Sequence, residues 1–202
     1  MMRRIRRRMQ LQHVETLAAR LQEAERATAR LREAADNIIK PAMELGGNAP
    51  FLVFEDADID AAIEGAMIAK MRNGGEACTA ANRFYAHSRI YDEFADRFAK
   101  AMKAVKMGPG LDADVDLGPM VNARAVKDID TLVQDAVGKG ADVLAGGKPP
   151  QRRGYFYPAT VLTQIPSGAE LLRHEIFGPV APIVAFDDDD EMIARANDTE
   201  YG

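Results

Sequence analysis

The 202-residue chain has one cysteine, three histidines and no apolar run approaching membrane-spanning length. A single cysteine excludes an internal disulfide, which suits a reducing compartment. Without about 18 consecutive apolar residues, no helix is expected to cross a bilayer. The arginine-rich start is not followed by the apolar stretch of a secretory signal, and Glu15, Glu23 and Glu25 come too early for an acid-poor mitochondrial presequence. Cytoplasm is the default compartment. His13, His87 and His174 lack ligand spacing and none is placed as a triad base, so no metal is expected. The Asp187–Asp190 run has neither the glycine turn nor the distal glutamate of a calcium loop, and reads as a solvated turn capping the last helix. Gly138, Gly140, Gly146 and Gly147 fit neither the dinucleotide fingerprint nor a phosphate loop, and are read as turns.

What is present suits a single globular core: 47% of residues are apolar, and a chain of this length buries about 70% of its unfolded surface. The formal net charge is −5, but five arginines lie within the first ten residues, leaving 21 basic against 31 acidic side chains in the rest. Such a body repels nucleic acid, and no nucleic-acid partner is expected.

Met9 to Ile39 contains no glycine or proline and predicts one long helix ending at Lys40, before Pro41. Val14, Leu17, Leu21, Ala24, Thr28, Leu31, Ala35 and Ile38 form a 3-4 stripe, which suits packing on the chain's own domain or pairing with another chain. Beyond it, strands are predicted at Pro50–Phe54, Arg83–His87, Ala141–Leu144, Val161–Thr163 and Val180–Phe186. Helices are predicted from Ile59, capped by Asp58, to Met71, at Tyr91–Met107, at Asn122–Val137 and at Glu191–Ala196. This alternation predicts an α/β fold with helices on both faces of the sheet.

Cys78 lies in Gly74–Arg83, GGEACTAANR, where small residues lead into a segment that can start a helix. Exposed amides at a helix start and an uncrowded approach favour a reactive thiolate. Taken alone, a lone cysteine is more often a small buried hydrophobe. Glu44 lies 34 residues upstream in MELGGNAP, and EIFGPVAP, Glu175–Pro182, lies downstream. Together the three segments resemble the aldehyde dehydrogenase superfamily, and within it the succinate semialdehyde dehydrogenases, which MRNGGEACTAANRFY and RGYFYPATVL also resemble. The likeness covers residues 29–202. It implies a mostly parallel sheet in a catalytic domain spanning 41–202, preceded by an N-terminal helix over 1–40.

The resemblance also implies roles. Cys78 is the nucleophile and Glu44 the general base. Glu175 accepts hydrogen bonds from the nicotinamide ribose of NAD or NADP, Phe177 packs on the nicotinamide ring, and Leu45 belongs to the same cofactor-side motif. Arg72, six residues before Cys78, corresponds to an arginine that binds the substrate carboxylate, for which a guanidinium's bidentate fork is suited. From residue type alone, Glu44 is a surface carboxylate, Glu175 a helix-end charge, Phe177 a core residue and Arg72 a helix C-terminal cation. Asn82 and Arg83 are assigned structural roles. Ala80 stands where many semialdehyde dehydrogenases have a second cysteine, which excludes a disulfide switch there.

The implied chemistry is oxidation of a small aldehyde, such as succinic semialdehyde, through a cysteine thiohemiacetal and a thioester. The aldehyde is the expected small-molecule partner, and homo-oligomers are expected of full-length members. No Gly-Ser-Thr cofactor loop precedes ATARLREAADNIIKP, and the chain stops at NDTEYG. The domain is therefore expected to be truncated at both ends, which keeps two alternatives open: a noncatalytic assembly unit, and a cofactor-independent thioester hydrolase.

Overall fold

The computed structural model describes residues 25–42 and 46–201. The chain divides into two units, Met1–Glu44 and Leu45–Gly202. In the first, residues 25–36 are helical (α1). This helix ends short of the predicted Lys40 because Ile38 adopts φ 55°, while the Ile38 N–H donates to the Ala35 carbonyl and the Ile39 N–H to the Ala34 carbonyl. That pairing is a Schellman closure, which stops a helix ahead of any proline. The predicted helical stretch before residue 25 lies outside the described residues.

The second unit is built on a five-stranded sheet: β1 (Ala49–Val53), β2 (Ala81–His87), β3 (Asp142–Ala145), β4 (Thr160–Thr163) and β5 (Val180–Phe186). Their order across the sheet is β1-β2-β5-β4-β3, and only the β3–β4 pair is antiparallel. The expected mostly parallel α/β sheet is therefore present. β5 pairs with β4 over Val180–Pro182 and with β2 over Ile183–Phe186. Pro182, which has no N–H to give, sits where the partner changes.

The helices are α2 (Ile59–Met71), α3 (Ser88–Ala104), α4 (Ala123–Gly138) and α5 (Asp189–Asn197). Each of α2, α4 and α5 starts at a side-chain cap, from Asp58, Asn122 and Asp188 respectively, as their positions predict. Phe94, Phe98 and Met102 of α3 are buried on one sheet face with Phe84, Ile183 and Leu162. Alternating residues Tyr85, Val184 and Phe186 turn to the other face and pack with Met192 of α5. Helices cover both faces, as the period-two patterning of β2 and β5 requires. Ile68 of α2 is 63% exposed.

One geometric fact places the three motifs. Gly46–Asn48 immediately precedes β1, Cys78–Ala80 precedes β2, and Glu175–Gly178 precedes β5. Because these strands are neighbours and parallel, all three loops emerge at the same rim, the amino ends of the strands.

Candidate active site

Cys78 is exposed. It does not start a helix: Ala77–Ala80 form a turn closed by the Ala80 N–H donating to the Ala77 carbonyl, and β2 begins at Ala81. The helix-start expectation is thereby corrected. The cause lies upstream, where Arg72–Gly75 make a 3-10 turn with Asn73 at φ 53° and Gly74 at φ 64°. That turn reverses the chain, so it enters the sheet instead of a helix.

The Gly46–Gly47 segment packs directly on this turn. A Cβ on Gly47 would fall well under 3.0 Å from the Cys78 carbonyl oxygen, and one on Gly46 would meet Glu175 Oε2 at 2.7 Å. Glycine at both positions permits that approach. The Gly47 N–H donates to Glu175 Oε1 at 3.0 Å. The Gly-Gly step of the first motif, the cysteine turn of the second and the glutamate of the third are thus in contact. Glu44 and Leu45 lie outside the described residues.

A cleft of about 690 Å³ opens beside Cys78, lined among others by Gly47, Asn48, Thr79, Asn197 and Tyr201. Asn48 is 3% exposed; its Nδ2 donates to the Leu172 carbonyl, and its Oδ1 has no hydrogen-bond partner. A buried acceptor left open costs about 1–3 kcal/mol unless a water or ligand donor fills it. Arg83, buried in the cleft wall, donates Nε to the Asn48 carbonyl and its terminal nitrogens to the carbonyls of Arg195 and Ala196 at the end of α5. The structural role expected of Arg83 is what these bonds provide.

Of the other predicted residues, Phe177 is 46% exposed, which removes the core alternative for it. Glu175 is partly buried and its carboxylate is turned to Gly47, so it is not a free helix-end charge. Arg72 is exposed in the 3-10 turn that follows α2, and it does not line the cleft beside Cys78. No cluster of metal-ligating side chains occurs among the described residues. No helix among them is long and apolar enough to cross a membrane.

Lys70 is the part of the site that residue patterning overlooked, and it bonds Asn82, for which a structural role is expected. Lys70 is fully buried, with Nζ 2.9 Å from Asn82 Oδ1 and 3.5 Å from the Ile176 carbonyl oxygen. Asn82 Nδ2 donates to the Gly47 carbonyl at 3.2 Å. Burial pushes the Lys70 ammonium down to about 7, against the pull of Glu175. The sequence signal was available: Lys70 lies four residues after Ala66, on the inward stripe of α2.

A mostly parallel α/β domain carrying an exposed thiol at the amino rim of its sheet is the class that fold and site define. The family model described as "Aldehyde dehydrogenase family" matches residues 24–202, and the chain belongs to that family. It is similar to a glutarate-semialdehyde dehydrogenase of Pseudomonas aeruginosa, 47% identical over 85% of this chain and 36% of that protein. It is also similar to the succinate-semialdehyde dehydrogenase [NADP(+)] of Escherichia coli, 44% identical over 85% of this chain and 36% of that protein. Among solved structures, the NAD+ complex of aldehyde dehydrogenase from Bacillus cereus matches with TM-score 0.79 and 35% identity, covering 85% of this chain and 35% of that one. The chain therefore spans little more than a third of the length of these relatives.

Proposed function

We propose that this chain carries the acylating site of an NAD- or NADP-dependent dehydrogenase for a small semialdehyde, succinic semialdehyde or one of similar length. The observation that carries the reading is the contact of the Gly46–Gly47 segment, which directly follows Glu44 and Leu45 in the sequence, with the backbone of an exposed Cys78. Relatives named for succinate and glutarate semialdehydes support the substrate class. A relative named for NADP(+) and a neighbour solved with NAD+ support a nicotinamide cofactor of either kind.

In this reading the Cys78 thiolate adds to the aldehyde carbon, and the former carbonyl oxygen becomes an oxyanion stabilised by the Cys78 backbone N–H. The resulting tetrahedral thiohemiacetal loses its hydrogen as hydride and becomes a thioester. Glu44 takes a proton from water, the hydroxyl adds to the thioester carbon, and the acid departs as the thiol is restored. The exposed Phe177 ring and the partly buried Glu175 carboxylate fit a nicotinamide and its ribose, Leu45 belongs to the same side, and a bound NAD or NADP supplies the hydride acceptor. Arg72 offers a guanidinium for the far carboxylate of the substrate. A small-molecule aldehyde and homo-oligomeric assembly belong to the same proposal.

The test mixes the chain with succinic semialdehyde and NAD+ or NADP+ and follows nicotinamide reduction. Cys78→Ser is expected to abolish it, and Glu44→Gln to leave a thioester on Cys78 that intact-protein mass spectrometry detects. Reduction persisting in Cys78→Ser ends the reading. A second reading is a noncatalytic assembly unit; sedimentation showing self-association, with no nicotinamide reduction or binding, favours it. Ester cleavage without any nicotinamide favours a hydrolase.

A further inference from the structure

A buried ammonium is costly, and a methionine of similar length would fill the same volume without that cost. What Lys70 adds must therefore come from its donors. As an ammonium, Nζ can only donate, so it requires the oxygen of Asn82, and not the amide nitrogen, to face α2. That leaves Asn82 Nδ2 to meet the Gly47 carbonyl. The peptide unit on the other side of Gly47 is held as well, because the Gly47 N–H bonds Glu175 and Glu175 is joined to Ile176, whose carbonyl faces Lys70. The bonds run in a closed circuit from α2 through the start of β2, the Gly47 loop and the loop before β5, back to α2. Gly75 closes the packing: a Cβ there would meet Lys70 Cε at 3.2 Å and would clash with the Gly178 carbonyl.

We propose that Lys70 is a positioning residue of the Cys78 site: through Asn82 it fixes the Gly47 peptide between the Cys78 carbonyl and the Glu175 carboxylate. Only the catalytic consequence rests on the proposed function; the geometric claim concerns Gly47 itself. Lys70 changes charge near neutrality, and Glu175, from the loop before β5, is the charged group that acts on it, while β2 presents the uncharged Asn82. His174 adjoins Glu175, but its ring pairs with Glu170 at 3.1 Å. Loss of the Lys70 charge removes an attraction on Glu175, and the Gly47 N–H that Glu175 accepts from should report it.

The test follows the Gly47 amide resonance in 15N-glycine-labelled protein from about pH 5.5 to about 9, a range that brackets a lysine titrating near neutrality. It compares wild type, His174→Gln and Lys70→Met. Wild type and His174→Gln are expected to share one transition with a midpoint near 7. Lys70→Met should lack it and show the Gly47 amide displaced at every pH. Alkylation of Cys78, the sole thiol, by iodoacetamide is expected to change at least about threefold in Lys70→Met, since a small displacement at a reacting site has large rate effects. A wild-type resonance with no transition, a transition lost in His174→Gln, or a Lys70→Met resonance superimposed on wild type overturns the proposal. If Lys70→Met does not fold, the wild-type and His174→Gln titrations decide alone. Failed nicotinamide reduction with the Gly47 shifts intact counts against the dehydrogenase reading and not against this one.

Discussion

At the amino rim of the sheet, the bonds of the Gly47, Cys78 and Glu175 loops are long in sequence and partly or fully buried: Gly47 to Glu175, Asn82 to Gly47, Arg83 to Asn48 and Lys70 to Ile176. At the carboxyl rim, Phe54, Glu55, His87, Arg89 and Asp187–Asp190 line a cleft of about 660 Å³. Its polar contacts are exposed or local: the Arg89–Glu55 ion pair, the Ser88 hydroxyl on Asp187, and Asp188 capping α5. Open α/β sheets ordinarily bind ligands at the carboxyl ends of their strands. Here the thiol and the close-packed glycines stand at the opposite rim. The contrast teaches that the rim tied by buried bonds is the one whose shape is over-determined, while solvated charges leave the other rim adaptable.

The contrast can be broken most sharply at Gly75. Its φ is 78°, and a Cβ there would clash with the Gly178 carbonyl group, so Gly75→Ala is expected to lower stability by about 3 kcal/mol or more. Gly168→Ala, where a Cβ meets nothing within 4 Å, should stay within about 0.5 kcal/mol. Urea unfolding measures both, and equal effects would dissolve the distinction.

A middle-sized effect concerns pH. Lys70 is held near 7 in the folded chain but titrates at about 10.4 when unfolded. Between these values the unfolded state binds the extra proton, so stability from this group rises with pH by up to about 1.4 kcal/mol per unit; it is lost as pH falls from about 10.4 towards 7, and the loss is complete below 7. Lys70→Met should flatten that part of the stability profile; an unchanged slope would show that Lys70 keeps an ordinary pKa.

The smallest effect belongs to the carboxyl rim. Arg89→Ala removes an ion pair whose side chains are 75% and 48% exposed, and should cost less than about 1 kcal/mol. A larger loss in urea unfolding would mean that this rim too is structurally committed.

Much of this was legible in the residues. Apolar runs located β5 to the residue, and Asp58 and the Asp187–Asp190 run announced their helices because an oxygen-bearing side chain before a helix satisfies orphan amides. The predicted β2 starts at Arg83, two residues late; Asn82 and Arg83 are polar yet buried, their partners are backbone carbonyls and Lys70, and hydropathy does not register those. The Cys78 turn was misread because positive φ at Asn73 and Gly74 reverses the chain, and a run of small residues does not reveal the direction. The contact between the first and third motifs depends on strand order, which no local pattern carries.

Cys78 stands three residues ahead of β2, Gly47 two ahead of β1 and Gly178 two ahead of β5. Each motif is anchored to the strand that follows it; the chain between β1 and Cys78 is a crossover through α2, and the chain between β2 and Glu175 holds α3, α4, β3 and β4. Insertions in such excursions, as in the loop between α3 and α4, would leave the thiol and its neighbours in place, whereas one residue added between Cys78 and Ala81 would move the sulfur.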